Sequence, residues 1–192
     1  MSDVLLWGVL AAAGLLVLGA AVIFNRLVGL RNRAAGAWSD IDVQLKRRHD
    51  LVGNLVETVT AYADHEKTVL EEVTRIRGRA ESARSTGDAA RAGDAENVLG
   101  GGVRRLLAVA EAYPDLKASD RFTDLQRGLT ELEDDLQHAR RYYNAVVRDY
   151  NTRIESVPDM FVAMPLGFRG RAFFTLDDRF EAAAPVVSLG EP

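Results

Sequence analysis

FTDLQRGLTELEDDLQHARRYYNAVVRDYNTRI, residues 122–154, carries apolar side chains at Phe122, Leu125, Leu129, Leu132, Leu136, Ala139, Tyr143, Val146, Tyr150 and Ile154, with Val157 just beyond as the alternative last member. Successive members are three or four residues apart, so all of them fall on one stripe of an α-helix. A stripe this regular has to be covered by another element, which predicts a long helix packed in a bundle. Ser119 is placed to cap its start, Asp120 and Asp124 lie near its positive end, and Pro158 stops it.

A matching seam precedes it. Trp38, Ile41, Leu45, Val52, Leu55, Val59, Tyr62, Val69, Val73, Ile76 and Ala80 keep the same period, with Arg48 and Glu66 on the seam. No proline intervenes, so the pattern predicts one long helix from Trp38 to Ala80. A charge on a buried seam needs a partner, and those of Arg48 and Glu66 are expected on the 122–154 helix, among Glu131, Asp135, Arg141 and Arg148. Ser82 to Gly93 lowers helix propensity and predicts a turn or frayed connection. Val98 to Tyr113 is a shorter periodic stretch ending at Pro114 and opening on Gly100-Gly101-Gly102. The triple glycine lacks the Lys-Ser/Thr of a phosphate-binding loop and follows no strand pattern, so it predicts a kink or a close helix contact. With short connections, neighbouring helices reverse. The expected fold is all-α, an antiparallel up-and-down helical bundle with long helices, preceded by a transmembrane helix.

That transmembrane helix is Val4–Phe24, 21 residues without a charge. At about 1.5 Å per residue it is roughly 31 Å long, enough to cross a hydrocarbon core. A signal peptide wants a basic leader and a shorter apolar stretch, whereas Asp3 leads here, and a lipoprotein anchor needs a cysteine, of which the chain has none. Arg26, Arg31 and Arg33 follow the run with no acidic residue before Asp40. Basic residues resist translocation, so the expected topology is single-pass, N-terminus outside and body on the cytoplasmic side of the cell membrane. Attraction of anionic lipid, at about 1 kcal/mol for each arginine, is the competing reading of these residues; an orientation signal alone is the favoured one. Gly8 and Ala12, four apart, permit close approach of a second span.

The chain divides into an anchor (1–25), a bundle (26–158) and a phenylalanine-rich tail (159–192). Met160, Phe161, Phe168, Phe173, Phe174, Leu176 and Phe180, broken by Pro165, Gly167 and Gly170, predict a short helix and an extended strap over the bundle; lipid or a partner is the competing destination for these side chains. Net charge is −4, from 24 basic and 28 acidic residues interspersed. Nucleic acid binding wants a basic stripe instead and is excluded.

Chemistry is scarce. His49, His65 and His138 are scattered and read as surface residues. His65-Glu66 begins an HExxH pattern, but Val69 stands where its second histidine belongs. Without cysteine or a nucleophile elbow, an enzyme is not expected, nor is a cofactor or a metal. The polar element that stands out is Arg-x-Tyr-Asn, present twice, at Arg141–Asn144 and Arg148–Asn151. One heptad apart, Tyr143 and Tyr150 stack on the seam while Asn144 and Asn151 flank it. The two asparagines are expected to bond backbone or side chains of the Trp38 helix.

Three stretches together carry a resemblance. QLKRRHDLVGNLVETVTAYADHE (44–66), RLLAVAEAYPDLKAS (105–119) and ARRYYNAVVRDYNTRIESVPDMFVA (139–163) resemble the LemA family of bacterial membrane proteins, in the same order after one N-terminal span. His49 and Gly53 depart from the pattern, which usually has an aromatic and a proline there. The resemblance implies a helical bundle on one anchor and a role in membrane-linked assembly; one relative takes part in building an intracellular membrane compartment, and some accompany membrane proteases. The residues expected to carry interactions are Arg47, Arg48, Asn54, Tyr143, Asn144, Tyr150 and Asn151. The expected partners are the lipid bilayer, further copies of the chain and another membrane protein. The function expected is a self-associating scaffold or assembly factor, with an accessory subunit of a membrane protease as the alternative.

Overall fold

A computed structural model describes residues 2–63 and 65–176. It is built from helices α1 (Ser2–Thr60), α2 (Lys67–Ser85), α3 (Ala89–Ala110), α4 (Pro114–Lys117), α5 (Asp120–Glu155) and α6 (Met160–Ala163), with no strand among the described residues. The all-α expectation holds. Long-range pairs fix the directions: Trp38 meets Tyr143 and Glu57 meets Arg121, so α1 and α5 are antiparallel. Asp42 with Arg84 sets α2 antiparallel to α1, and Glu72 with Arg105 sets α3 antiparallel to α2.

The long helix expected from Trp38 to Ala80 is two helices. α1 closes where Ala63 N–H donates to the Val59 carbonyl, and the chain turns back through residues 61–66. The seam keeps its period across the reversal because both halves face one core: Leu70, Val73, Ile76 and Ala80 of α2 pack with Val52, Leu55 and Val59 of α1. One uninterrupted helix would leave each of these faces uncovered. Tyr62, assigned to the seam, is exposed at the turn, and the buried residue there is Ala63.

The segment expected to be a loose connection, Ser82–Gly93, is tighter than that. α2 runs to Ser85 and α3 begins at Ala89, capped by the Asp88 carboxylate, which accepts from Ala90 N–H (3.0 Å) and Arg91 N–H (3.2 Å). Gly87, at φ 69°, supplies the left-handed residue that ends α2. The triple glycine lies inside α3 and makes the close contact: a Cβ on Gly102 would stand 3.5 Å from Val73 and 3.6 Å from Ile76. Ser119 occupies the N-cap of α5, though its hydroxyl makes no capping bond.

Three buried clusters run down the molecule, each using α1. The far end joins α1, α2, α3 and the start of α5. In the middle, Ala34, Ile41 and Leu45 meet Leu136, Tyr143 and Val147 of α5, and Phe174. At the base, Leu27 packs with Tyr150, Ile154 and Ala163. The Val4–Phe24 half of α1 has no cover within the protein except at its end, where Ile23 and Phe24 touch the base of the bundle; Leu5 is 68% and Leu16 76% exposed. A core helix of this composition would be buried. The chain thus carries one N-terminal helix long and apolar enough to cross a membrane.

Candidate functional site

α1 places Ile41, Leu45, Arg48, Val52, Leu55 and Val59 on one buried seam, so the guanidinium of Arg48 enters the core. α3 does the same with Ala89, Ala92, Glu96, Leu99, Val103 and Leu106. The two charges meet. Arg48 Nη1 lies 3.3 Å from Glu96 Oε2, and Arg48 Nη2 lies 3.3 Å from Glu133 Oε2 on α5. The other oxygen of Glu96 is 2.6 Å from His49 Nε2. Since Glu96 also faces the guanidinium, it is the acceptor and His49 the donor. Arg48, His49 and Glu96 are 5%, 2% and 1% exposed.

This corrects three expectations. Arg48 does find a partner on the 122–154 helix, but it is Glu133 and not Glu131 or Asp135, and its second partner, Glu96, is on α3. Glu66, expected to find a partner on the same helix as Arg48 does, stands half-buried at the N-cap of α2. His49 is a core residue, not a surface one; His65 and His138 are exposed as expected. The cluster ties α1, α3 and α5 together at the junction of the upper and middle cores. His49 and Glu96 are sealed inside the core, while Arg48 and the partly exposed Glu133 reach the edge of a groove; removing one partner of the buried pair would strand a charge at a cost of about 3–5 kcal/mol.

The paired Arg-x-Tyr-Asn elements do a different task from the one expected. Their asparagines bond the backbone of the tail, not the first helix. Asn144 Nδ2 donates to the Phe174 carbonyl at 2.9 Å, and Phe174 N–H donates to Asn144 Oδ1 at 3.0 Å. Asn151 repeats this on Arg171, with both bonds at 2.9 Å. Between them the Tyr143 hydroxyl donates to the Ala172 carbonyl at 2.9 Å. The side chains of α5 thus imitate the edge of a strand and hold residues 171–174 extended along the helix pair. Phe174, fully buried, lies 5.8 Å from the Trp38 ring, which is itself 5.5 Å from Tyr143. On the other side Gly93 admits the strap: a Cβ there would come within 2.5 Å of the Thr175 carbonyl. Burial raises the Tyr143 hydroxyl above its ordinary value of 10.0, opposed by the charge of Arg171 and reinforced by that of Asp88.

The remaining expected residues are dispersed. Tyr150 is buried in the basal cluster with Leu27 and Ala163, its hydroxyl likewise raised by burial. Arg47 and Asn54 are exposed on α1, outside both constellations; the carbonyl of Asn54 accepts from Thr58 Oγ1 at 2.8 Å. Phe180 lies outside the described residues. Glu96, Glu133 and Gly93 went unnoticed in the sequence. Glu96 had a usable signal: extending the period of Leu99, Val103 and Leu106 backwards lands on it, a charge on a seam like Arg48. Above Arg48, a groove of about 480 Å³ opens between α3 and α5, lined by Val103, Leu107, Leu129 and Glu133. Among the described residues no three His, Asp or Glu side chains gather as metal ligands do.

Comparison with known proteins places this architecture. The family model of the LemA family matches residues 37–189. The chain is 25% identical to magnetosome protein MamQ of Magnetospirillum gryphiswaldense over 174 residues, covering 79% of this chain and 64% of that protein. It is 26% identical to magnetosome protein MamQ 2 of Paramagnetospirillum magneticum over the same shares. Protein LemA of Metamycoplasma hominis is 24% identical over 78% of this chain and 68% of its own length. The chain spans somewhat less than two thirds of the MamQ proteins it matches. None of these names designates a reaction. With most of the helical body and its clamped tail inside the matched region, this chain belongs to the LemA family.

Proposed function

We propose that this protein is a non-catalytic, membrane-anchored scaffold that self-associates or organises other membrane proteins at the cytoplasmic face of the cell membrane. The observation that carries the reading is the continuity of α1: the apolar run and the seams of all three cores lie on one unbroken helix of 59 residues. A body joined by a flexible linker samples every orientation, whereas this one is held at a set height and attitude to the bilayer. Its buried polar groups are spent on internal fastening, of Arg48 to Glu96 and of Asn144 and Asn151 to the strap. The magnetosome relatives are named for a component and not for a reaction, which is in keeping with such a role. Arg26, Arg31 and Arg33 favour the cytoplasmic placement of the body.

In-membrane crosslinking followed by mass spectrometry tests it. Products joining two copies of this chain are expected, along with body peptides protected from trypsin added outside intact cells. A chain that stays monomeric in the membrane and yields no crosslink to any membrane protein would refute the proposal. The groove between α3 and α5 favours a second reading, an accessory subunit of a membrane protease that takes a partner segment against Leu107 and Leu129. Under that reading Leu129→Arg abolishes a stoichiometric heterologous product and leaves like-with-like products in place.

A further inference from the structure

The base of the bundle, where α1 leaves its apolar run, carries two features that internal packing leaves largely unused. A cleft of about 620 Å³ lies between the first turns of α1 after Phe24 and the last turns of α5. Arg26, Gly29 and Arg33 line one wall, and Arg148, Asp149 and Arg153 the other. Four arginines against one aspartate leave an excess of three positive charges; Asp159, 3.4 Å from Arg153, reduces it to two. Arg26, Arg33 and Arg148 form no ion pair among the described residues. Gly29 has open space where a Cβ would stand, so the floor of the cleft is unfilled. The chain as a whole is acidic, at −4, so this concentration of positive charge is local. It acts within a Debye length of roughly 8 Å.

Beside the cleft, the segment around α6 turns apolar side chains outward: Val157, Phe161, Met164 and Leu166 are 70%, 68%, 72% and 55% exposed. Their height is fixed by packing. Ala163 sits in the basal cluster against Leu27, with Ile23 of the apolar run packed on the same cluster. The Phe168 ring lies 5.9 Å from that of Phe24, the last residue of the run, with the Arg31 guanidinium 5.4 Å above it. The exposed apolar group therefore stands at the level where the span ends.

We propose that this base is a second membrane contact: the segment 157–166 sinks into the interface, and the arginine cleft takes the phosphate of an anionic phospholipid headgroup. Bulk phosphate is the weaker occupant, because the cleft opens at the end of an apolar run and next to an apolar wedge. Together the two features would lock the rotation of α1 about its axis. The proposal rests on reading Val4–Phe24 as a span, which the test checks separately.

The full chain is reconstituted into vesicles of equal phosphatidylcholine and phosphatidylglycerol, extracted, and read by native mass spectrometry. Retention of phosphatidylglycerol over phosphatidylcholine by about tenfold is expected. An Arg33→Gln, Arg148→Gln double variant should lose it. So should Gly29→Leu, which fills the cleft at a position where nothing is displaced and helix propensity rises. Since the chain has no cysteine, Phe161→Cys gives a unique label. Its fluorescence should be quenched by brominated acyl chains, whereas a label at Tyr62→Cys, exposed at the far turn, should not be. Equal retention of the two lipids, unchanged retention in both variants, displacement of the lipid by equimolar inorganic phosphate, or an unquenched label at position 161 would each overturn the proposal. Release of the protein by alkaline carbonate would overturn the span along with it; a protein that stays embedded while failing the other arms refutes the basal contact alone.

Discussion

Asn144→Ala should loosen the tail while leaving the bundle folded. Asn144 makes two hydrogen bonds to Phe174, at 2.9 and 3.0 Å, in a half-buried setting. At about 1 kcal/mol net for each, the substitution removes roughly 2 kcal/mol from the free energy that keeps the strap closed. The rest of the closure comes from the fully buried Phe174 ring, about 2–3 kcal/mol, and from the Asn151 and Tyr143 bonds. The strap is thus held by several contacts of similar size, and losing one pair increases its open population by roughly 30-fold without emptying the closed state. Native-state hydrogen exchange reads this directly, since the Phe174 amide is itself a donor to Asn144. Its exchange should accelerate roughly 30-fold in Asn144→Ala; Asn151→Ala should do the same at Arg171. Asn144→Asp discriminates further. It keeps the acceptor for Phe174 N–H but sets a carboxylate oxygen against the Phe174 carbonyl, so it should not rescue. The reasoning fails if exchange at Phe174 and Arg171 is unchanged, or if amides in the middle of α5 accelerate equally, for then the asparagines would stabilise the whole bundle and not the strap.

Glu96→Gln leaves Arg48 with a single carboxylate and His49 facing an amide, and should cost about 3 kcal/mol in chemical denaturation; a loss below about 1 kcal/mol would show the cluster to be energetically idle. Gly93→Ala raises the helix propensity of α3 by about 1 kcal/mol yet drives a Cβ against the Thr175 carbonyl. Protection of the Phe174 amide should therefore fall, and a purely stabilising result would contradict the fit of the strap. Burial raises the Tyr143 and Tyr150 hydroxyls, so the folded state holds their protons more tightly than the unfolded chain does. Their contribution is complete below the ordinary value of 10.0 and is lost as pH rises through the folded values. Denaturation profiles should accordingly show stability falling above pH 10, less steeply in Tyr143→Phe.

Helix type and burial were legible because they depend on period alone. The residues placed on the seam of α5 are buried or packed at its edge, except that Val147 takes the inner position beside the half-buried Val146. Chain reversal at residues 61–66 was not legible, since a heptad pattern is preserved whether the next helix continues or folds back on the same core. The partner of Arg48 escaped for a related reason. Starting the periodic stretch at Val98 left Glu96 outside it, although α3 begins at Ala89 and Val98 itself is 56% exposed. That Asn144 and Asn151 are structural fasteners could be read from their spacing; what they fasten could not. A helix flank is equally suited to a neighbouring helix or to an extended chain, and only the tail's path decides between them.

The position of the charged cluster explains why it is kept inside an otherwise apolar interior. The upper core is held by aliphatic contacts among α1, α2, α3 and the start of α5, and the middle core by α1, α5 and the strap. Arg48 and Glu96 lie between them, on seams that would accept Leu at either position. A shift of α3 along α1 by one turn, about 5.4 Å, would separate Glu96 from Arg48 and His49, stranding its buried carboxylate and leaving Arg48 with Glu133 alone. The same shift would move Gly93 away from Thr175 and close the path of the strap. The expectation is that this buried pair sets the register of α1 and α3 and so keeps Gly93 opposite the tail, which packs onto α5 and the α1 helix that continues into the membrane-length run. Replacing Arg48, His49 and Glu96 together by Met, Leu and Leu should preserve overall stability while strap protection at Phe174 becomes heterogeneous. A single protected population in that variant would show that aliphatic packing alone fixes the register.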